Sequence, residues 1–401
     1  MGRFTQLRGV VFGMVAAALL LCPAERGHAD NKDPVKIGAF FALSGPAANI
    51  GSPTKLVAQM VVDKINKEGG INGRPIELVL GDTESEPTQA VMVFKKFVSL
   101  ERVAAVIGPT RTDTGMAVKK QVEAMKIPTV MTVGGDPVIM EGKHGSMDFG
   151  TARYVFKAPQ RSSVAVSKVL GYLKDKGMTR IAVISASDGF GKDGTRWLEK
   201  LAPEFGIEIV GHEQFNPTDV DMKTQLTKLA GLDPQAVVCW TIGPAGALVS
   251  KNHSALGISV PLVQCHGLPG PRYIDLAGKA AEGDLMPATK LMVWEQLPDD
   301  DPQKPVIQEF VHLYNEVYNY DAQYPINTHT GYAWDAISLL VNAMKAAGTT
   351  DAEQVRDALE QTTGFVGISG IFTITPDDHN GLGTDSMVML EVRDGKFVMV
   401  E

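Results

Sequence analysis

The residues best suited to hold a small solute stand where apolar runs end. Early runs close on Phe40-Phe41-Ala42-Leu43-Ser44-Gly45-Pro46, Gly108-Pro109-Thr110-Arg111-Thr112-Asp113 and Val133-Gly134-Gly135-Asp136. Later runs close on Ser187-Asp188-Gly189-Phe190, Trp240-Thr241-Ile242-Gly243-Pro244 and Cys265-His266-Gly267. If the runs are parallel strands, these are their carboxyl ends, where open sheets bind ligands. Thr112 and Asp113 stand where a helix begins, so a hydroxyl and free backbone N–H groups there suit a carboxylate. Arg111 adds a charge-assisted partner for the same group. A plain capping role for Thr112 or Asp113 is the competing reading.

Other chemistry finds little support. Gly189-Phe190-Gly191-Lys192-Asp193-Gly194 has the GxGxxG spacing. A dinucleotide site needs its first glycine directly after the strand, and here Ala186, Ser187 and Asp188 intervene. The eight histidines are scattered, with no HxxxH or HExxH spacing for zinc. Asp299-Asp300-Asp301 reads as solvated loop charge. No nucleophile, base and orienter come together, so neither enzymatic activity, a metal nor a cofactor is expected.

The elements that must carry these ends alternate in type. Strands are predicted over 35–42, 76–80, 104–107 and 128–133, and helices over 53–68, 87–100 and 113–125. After a Gly- and Pro-rich connection, 134–159, the rhythm restarts: helices at 161–176, 191–205, 222–230 and 245–256, strands at 180–185, 208–210, 236–241 and 261–264. Helices at 304–318, 330–347 and 352–361 follow, then a β-rich tail with an Arg393-Asp394-Gly395-Lys396 hairpin turn. The fold class is α/β, with parallel sheets, right-handed crossovers and two doubly wound lobes.

Size and composition agree. The chain has 401 residues, 44% hydrophobic and 21% charged, too long for a single core and balanced for a globular protein. The net charge of −8, with no basic run, argues against nucleic-acid binding. Arg3 and Arg8 precede an apolar run from Gly9 to Leu21, too short to span a membrane, and Gly27-His28-Ala29 offers a cleavage site. Residues 1–29 are therefore expected to be a signal peptide, and the protein to be exported. Cys239 and Cys265 are expected as buried free thiols, with a bridge between neighbouring strands the alternative.

Several segments resemble the periplasmic leucine/isoleucine/valine-binding proteins, the type I solute-binding components of ABC importers. They are Leu43-Ser44-Gly45-Pro46, Gly69-Gly70-Ile71-Asn72-Gly73-Arg74-Pro75, Val106-Ile107-Gly108-Pro109, Ala280-Ala281-Glu282-Gly283, and Tyr332 with Asp335-Ala336. The resemblance implies the type I periplasmic binding protein fold, two lobes joined by a three-crossing hinge that closes on ligand. The crossings are expected near 156–158, 284–287 and 362–367. Lobe 1 is then 30–157 plus 286–362, and lobe 2 is 158–285 plus 363–401. It also implies separate permease and ATPase subunits as partners, and a monomer.

By the same resemblance, the hydroxyl that holds a ligand carboxylate falls on Thr112, and a small-x-Thr pair falls on Gly134 and Gly135, without the threonine. An aromatic falls on Phe190, and the acid that meets an amino acid's ammonium falls on His266. A buried ammonium needs an anion or several acceptors. The expected ligand is therefore a small carboxylate without an α-ammonium, most of all an aromatic acid (benzoate-like, phenylpropenoid or aryl-keto acid) against flat walls. The alternatives are an aliphatic amino acid, with Asp136 or Asp188 supplying the acid, or a sensor serving a membrane receptor. The expected binding residues are Phe41, Ser44, Arg111, Thr112, Gly134, Gly135, Phe190, Trp240, Ile242 and His266.

Overall fold

The structure is a computed structural model that describes residues 1–2, 33–140 and 151–400. Residues 3–29 of the expected signal peptide and its cleavage point lie outside the described residues. The chain from residue 33 begins with β1 (Val35–Phe41), α1 (Ala48–Lys67), β2 (Ile76–Asp82), α2 (Pro87–Lys96), β3 (Ala105–Ile107), α3 (Thr112–Met125), β4 (Thr129–Met131) and β5 (Val155–Lys157). These strands form one parallel sheet in the order β2-β1-β3-β4-β5. Along β1 the residues alternate between its two faces: Val35, Ile37, Ala39 and Phe41 enter one core, Phe40 the other.

The second lobe follows with α4 (Ser162–Asp175), β6 (Arg180–Ala186), α5 (Gly189–Leu201), β7 (Glu208–Phe215), α6 (Lys223–Ala230), β8 (Ala236–Trp240), α7 (Pro244–Ala255), β9 (Leu262–Val263), α8 (Pro271–Ala277) and β10 (Leu285–Thr289). Then come α9 (Lys304–His312), α10 (Thr328–Ala347), α11 (Ala352–Glu360), β11 (Phe365–Val366), β12 (Ile371–Phe372), β13 (Met387–Arg393) and β14 (Lys396–Met399). The second sheet is seven-stranded, β14-β13-β10-β9-β8-β6-β7, with β13 and β14 antiparallel to their neighbours. Asp394 and Gly395 take φ of 51° and 69° in the hairpin between them, the backbone that an Asp-Gly turn favours.

The chain passes three times between the first-lobe core that holds Phe41 (the first core) and the second-lobe core that holds Ile181, Val238 and Met286 (the second). The first passage follows β5 into α4. The second runs through a 3-10 segment, Lys290–Gln296, in which Leu291 packs in the first core and Val293 in the second. The third lies between Leu382, in the first core, and Met387, in the second. Two of the expected crossings fall elsewhere. Residues 285–287 are part of β10, held by β9 and β13, and residues 363–382 stay with the first lobe. The reason for the latter is Asp335 on α10, whose carboxylate accepts the backbone N–H groups of Ile368 and Ser369.

Smaller departures have local causes. α1 starts at Ala48, ahead of Pro53, because its first turn closes on Ala47, whose carbonyl accepts from Ile50 and Gly51 N–H. α5 starts at Gly189, because the Asp188 carboxylate caps it by accepting from Gly191 N–H at 2.9 Å. That cap occupies the helix terminus a dinucleotide phosphate would need. β7 extends to Phe215 because it pairs with β6 along its whole length. Cys239 and Cys265 are buried and free, one in each of the cores on opposite faces of the second sheet. Among the described residues, no helix is long and apolar enough to cross a membrane.

Candidate functional site

Between the carboxyl ends of the two sheets lies a small cavity of about 20 Å³. Thr110, Thr112, Thr132 and Gly134 line it from the first lobe, Phe190, Ile242, His266 and Gly267 from the second, and His329 and Tyr332 from α10. That volume is close to the share of a single water, so the lobes are drawn together here. A broader groove of about 720 Å³ runs beside Trp294 and Phe397, away from the strand ends. The smaller cavity is the better candidate, because strand ends from both sheets converge on it.

The first-lobe side is a set of tied hydroxyls. Gly108, at φ +102°, turns the chain out of β3, and a Cβ there would stand 2.1 Å from the Phe40 carbonyl oxygen. Thr110 Oγ1 accepts from Ala42 N–H at 3.0 Å, and Thr132 Oγ1 donates to the Pro109 carbonyl at 2.8 Å. Thr112, the first residue of α3, accepts from Gly135 N–H at 3.3 Å. Its own proton can then be given to an acceptor in the cavity. A Cβ on Gly135 would stand 2.5 Å from Thr112 Cγ2, which is why a threonine has no room at that position.

The second-lobe side is aromatic. His266 is 1% exposed, and its ring meets Phe190 and Trp240 edge-on at 5.4 and 5.5 Å. Neither ring nitrogen of His266 has a hydrogen-bond partner, nor has Trp240 Nε1. Burial, with the Lys157 and His329 charges adding to it, depresses the His266 pKa to about 3. His266 is therefore neutral at pH 7, offering one donor and one acceptor. His329, depressed to about 4 by burial, hydrogen-bonds through Nε2 to the Gly267 carbonyl at 3.0 Å. Tyr332 shares a 2.9 Å hydrogen bond with Thr328, and burial raises its phenol pKa.

Of the expected residues, the structure brings Thr112, Gly134, Phe190, Ile242 and His266 together at the cavity. Gly135 and Trp240 stand directly behind it, against Thr112 and Phe190. Phe41 is not brought there: strand alternation turns it into the first-lobe core. Ser44 instead donates to the Asp82 carboxylate at 2.7 Å. Arg111 lies 3.4 Å from Asp113 and 3.6 Å from Asp188. The two alternative acids are also committed elsewhere. Asp188 caps α5, while Asp136 accepts from Ser162 N–H, Ser163 N–H, Ser163 Oγ and the buried Lys157 ammonium. Among the described residues, no Asp or Glu lines the cavity.

Thr110, Thr132, Gly267, His329 and Tyr332 were not anticipated. Thr110, Thr132 and Gly267 lie in or beside loops already singled out, so widening each loop by a residue or two finds them. Nothing in the local pattern marks His329, whose partner Gly267 is distant in sequence.

Comparison with known proteins agrees with this architecture. A profile of the periplasmic binding protein family matches residues 34–396. The chain is 24% identical over 364 residues to the Leu/Ile/Val-binding protein homolog 1 of Brucella suis, covering 91% of each. It is 25% identical over 388 residues to the Leu/Ile/Val-binding protein BraC3 of Rhizobium johnstonii, covering 96% of this chain and 98% of that one. Among solved structures, an extracellular ligand-binding receptor from Rhodopseudomonas palustris superposes with a TM-score of 0.82 at 24% identity, over 92% of this chain and 99% of that one. With the strand order, the hinge crossings and the interlobe cavity in place, the chain belongs to the periplasmic binding protein family.

Proposed function

We propose that the protein is the exported solute-binding component of an ABC importer of the branched-chain amino acid type. It is a binder rather than an enzyme, taking up a small carboxylate between its lobes as a monomer and delivering it to permease subunits on separate chains. Cleavage after Ala29 would release it into the periplasm. The observation that carries this reading is the convergence of the Thr112 end of α3 on the cavity from one lobe and Phe190 and His266 from the other. The first ligands to try are leucine, isoleucine and valine, because the curated relatives are named for them. In this reading neutral His266 accepts from the ligand's ammonium, with the Thr112 hydroxyl and the α3 terminus on its carboxylate.

A second reading rests on the missing anion. With no Asp or Glu lining the cavity among the described residues, a carboxylate without an α-ammonium, such as an aromatic acid, avoids burying an unpaired cation. The relatives' names favour the amino acid, so this stands second. A thermal-shift screen of residues 30–401 separates the two. A ligand at 100 times its dissociation constant adds ~2.7 kcal/mol, or about 3 °C for a chain of this size. A shift with branched-chain amino acids alone supports the first reading, and a shift with aromatic acids alone supports the second. No shift with either set refutes a small-carboxylate binder.

A further inference from the structure

Arg111 was expected to meet a ligand's carboxylate, yet its closest charges belong to the protein. Its guanidinium lies 3.4 Å from Asp113, two residues along on the same lobe, and 3.6 Å from Asp188 on the other lobe. The Arg111 and Asp188 side chains are 20% and 11% exposed, so the pair sits at the margin of the interlobe contact, partly shielded from water. The two oxygens of Asp188 divide their work. Oδ1 caps α5 through Gly191 N–H, and Oδ2 faces Arg111. A second bond spans the same gap, from Gly189 N–H to Asp113 Oδ1 at 3.0 Å. Asp113 thus orients Arg111 and receives the start of α5, tying the opening turns of α3 and α5 together.

We infer that Arg111 and Asp188 form an ionic latch across the cleft, which draws the lobes together even before a solute enters. This rests on the reading that the lobes part and close on a solute. The pair exists only when α3 and α5 meet. Its attraction is therefore absent from the open form, and what remains after the burial of Asp188 and its repulsion from Asp113 goes into the closing equilibrium. A partly shielded pair of this kind shifts the closed-to-open ratio by about three- to fivefold. Arg111 is then a positioning residue for closure rather than the anchor of a ligand carboxylate.

The test needs no ligand. Met92 on the first lobe and Val220 on the second are 56% and 85% exposed. Met92→Cys and Val220→Cys accept spin labels, while Cys239 and Cys265 are buried. Distances between the labels, measured by pulsed electron–electron resonance, report the closed and open populations. Asp188→Asn keeps the helix cap and removes the charge, and Arg111→Gln removes the cation. Each is expected to lower the closed-to-open ratio about three- to fivefold, and the two together no further. Raising salt from about 0.05 M to about 0.5 M is expected to lower the ratio in the wild type but not in the variants. Arg111→Lys retains charge and should keep most of the closed population, separating lost attraction from misfolding.

An unchanged ratio in Asp188→Asn, additive effects in the double variant, or a wild type with only the long distance would each overturn the latch. A loss confined to Arg111→Gln would overturn it too, returning Arg111 to the ligand. Because no solute is added, a blank ligand screen would refute the proposed function and leave the latch standing.

Discussion

Gly134 faces the opposite lobe across the cavity, and adding one methyl there tests closure directly. A Cβ on Gly134 would stand 2.8 Å from Phe190 Cε2 and 3.1 Å from His266 Nε2, both on the opposite lobe. Ordinary contact needs at least 3.4 Å, so the methyl is accommodated only if the rings or the lobes move apart. In the open form the same methyl meets neither ring. Overpacking a tight contact costs about 1–3 kcal/mol, and here the cost falls on the closed state alone. The closed-to-open ratio of ligand-free Gly134→Ala should drop roughly 5- to 150-fold.

Label distances across the cleft, measured without ligand, read the closure of Gly134→Ala. Gly171, inside α4, is the control, since its Cβ would meet only Phe205 Cε1 at an ordinary 3.8 Å. Gly171→Ala should close normally and gain up to about 1 kcal/mol from helix propensity. If Gly134→Ala closes as fully as the wild type, the lobes do not meet at Gly134 as described above.

Three further outcomes follow from the buried polar groups. Burial raises the Asp284 carboxyl pKa to about 7 against hydrogen bonds from Tyr273 and Ser250 that lower it. The native state thus keeps a proton that the unfolded chain sheds near pH 4, so this contribution to stability falls as pH rises from about 4 to about 7; urea melts should show the wild type losing about 3 kcal/mol more than Asp284→Asn between about pH 5 and about pH 8. Lys157 is 0% exposed and donates to the Gly134 and Gln160 carbonyls at 2.6 and 3.1 Å beside Asp136. Lys157→Met should destabilise by about 3 kcal/mol in denaturant melts, and adding Asp136→Asn should recover part of it; equal stability of the single variant would contradict the pairing. His266→Leu removes a buried ring with two unpartnered nitrogens. It should leave the melting temperature unchanged or higher while weakening ligand at least tenfold, and unchanged affinity would remove His266 from the site.

Much of this is legible in the sequence, for a physical reason. The alternation of apolar runs with amphipathic stretches is a local record of strand and helix, and parallel connectivity puts every strand's carboxyl end on one side of its sheet. Thr112, Gly134, Phe190, Ile242 and His266 could be picked out because each sits just after such an end. The Leu43-Ser44-Gly45-Pro46 and Gly69-Gly70 segments carried the family likeness for the same reason, as turns whose backbone demands particular residues. Gly45, Gly69 and Gly70 all have positive φ.

What failed to show in the sequence depended on distance or on face. Phe40 and Phe41 are chemically identical neighbours, and only the register of β1 in its sheet decides which core each enters. Asp136, Asp188 and Arg111 all read as candidate ligand groups until the hinge residue Lys157 and the start of α5 arrive to engage them. The second and third crossings were misplaced because a β-strand reads alike in either lobe; pairing with β9 assigns β10, and the Asp335 carboxylate assigns the chain near Ile368. His329 reaches the cavity only because α10 packs beside the hinge and meets the Gly267 carbonyl. The sequence by itself determined the elements, their order and the loops from which a site would be made, since these follow from short-range periodicity and backbone preference. Only the tertiary structure decided which charges neutralise one another and which groups face the cavity, because those depend on contacts between residues far apart in the chain.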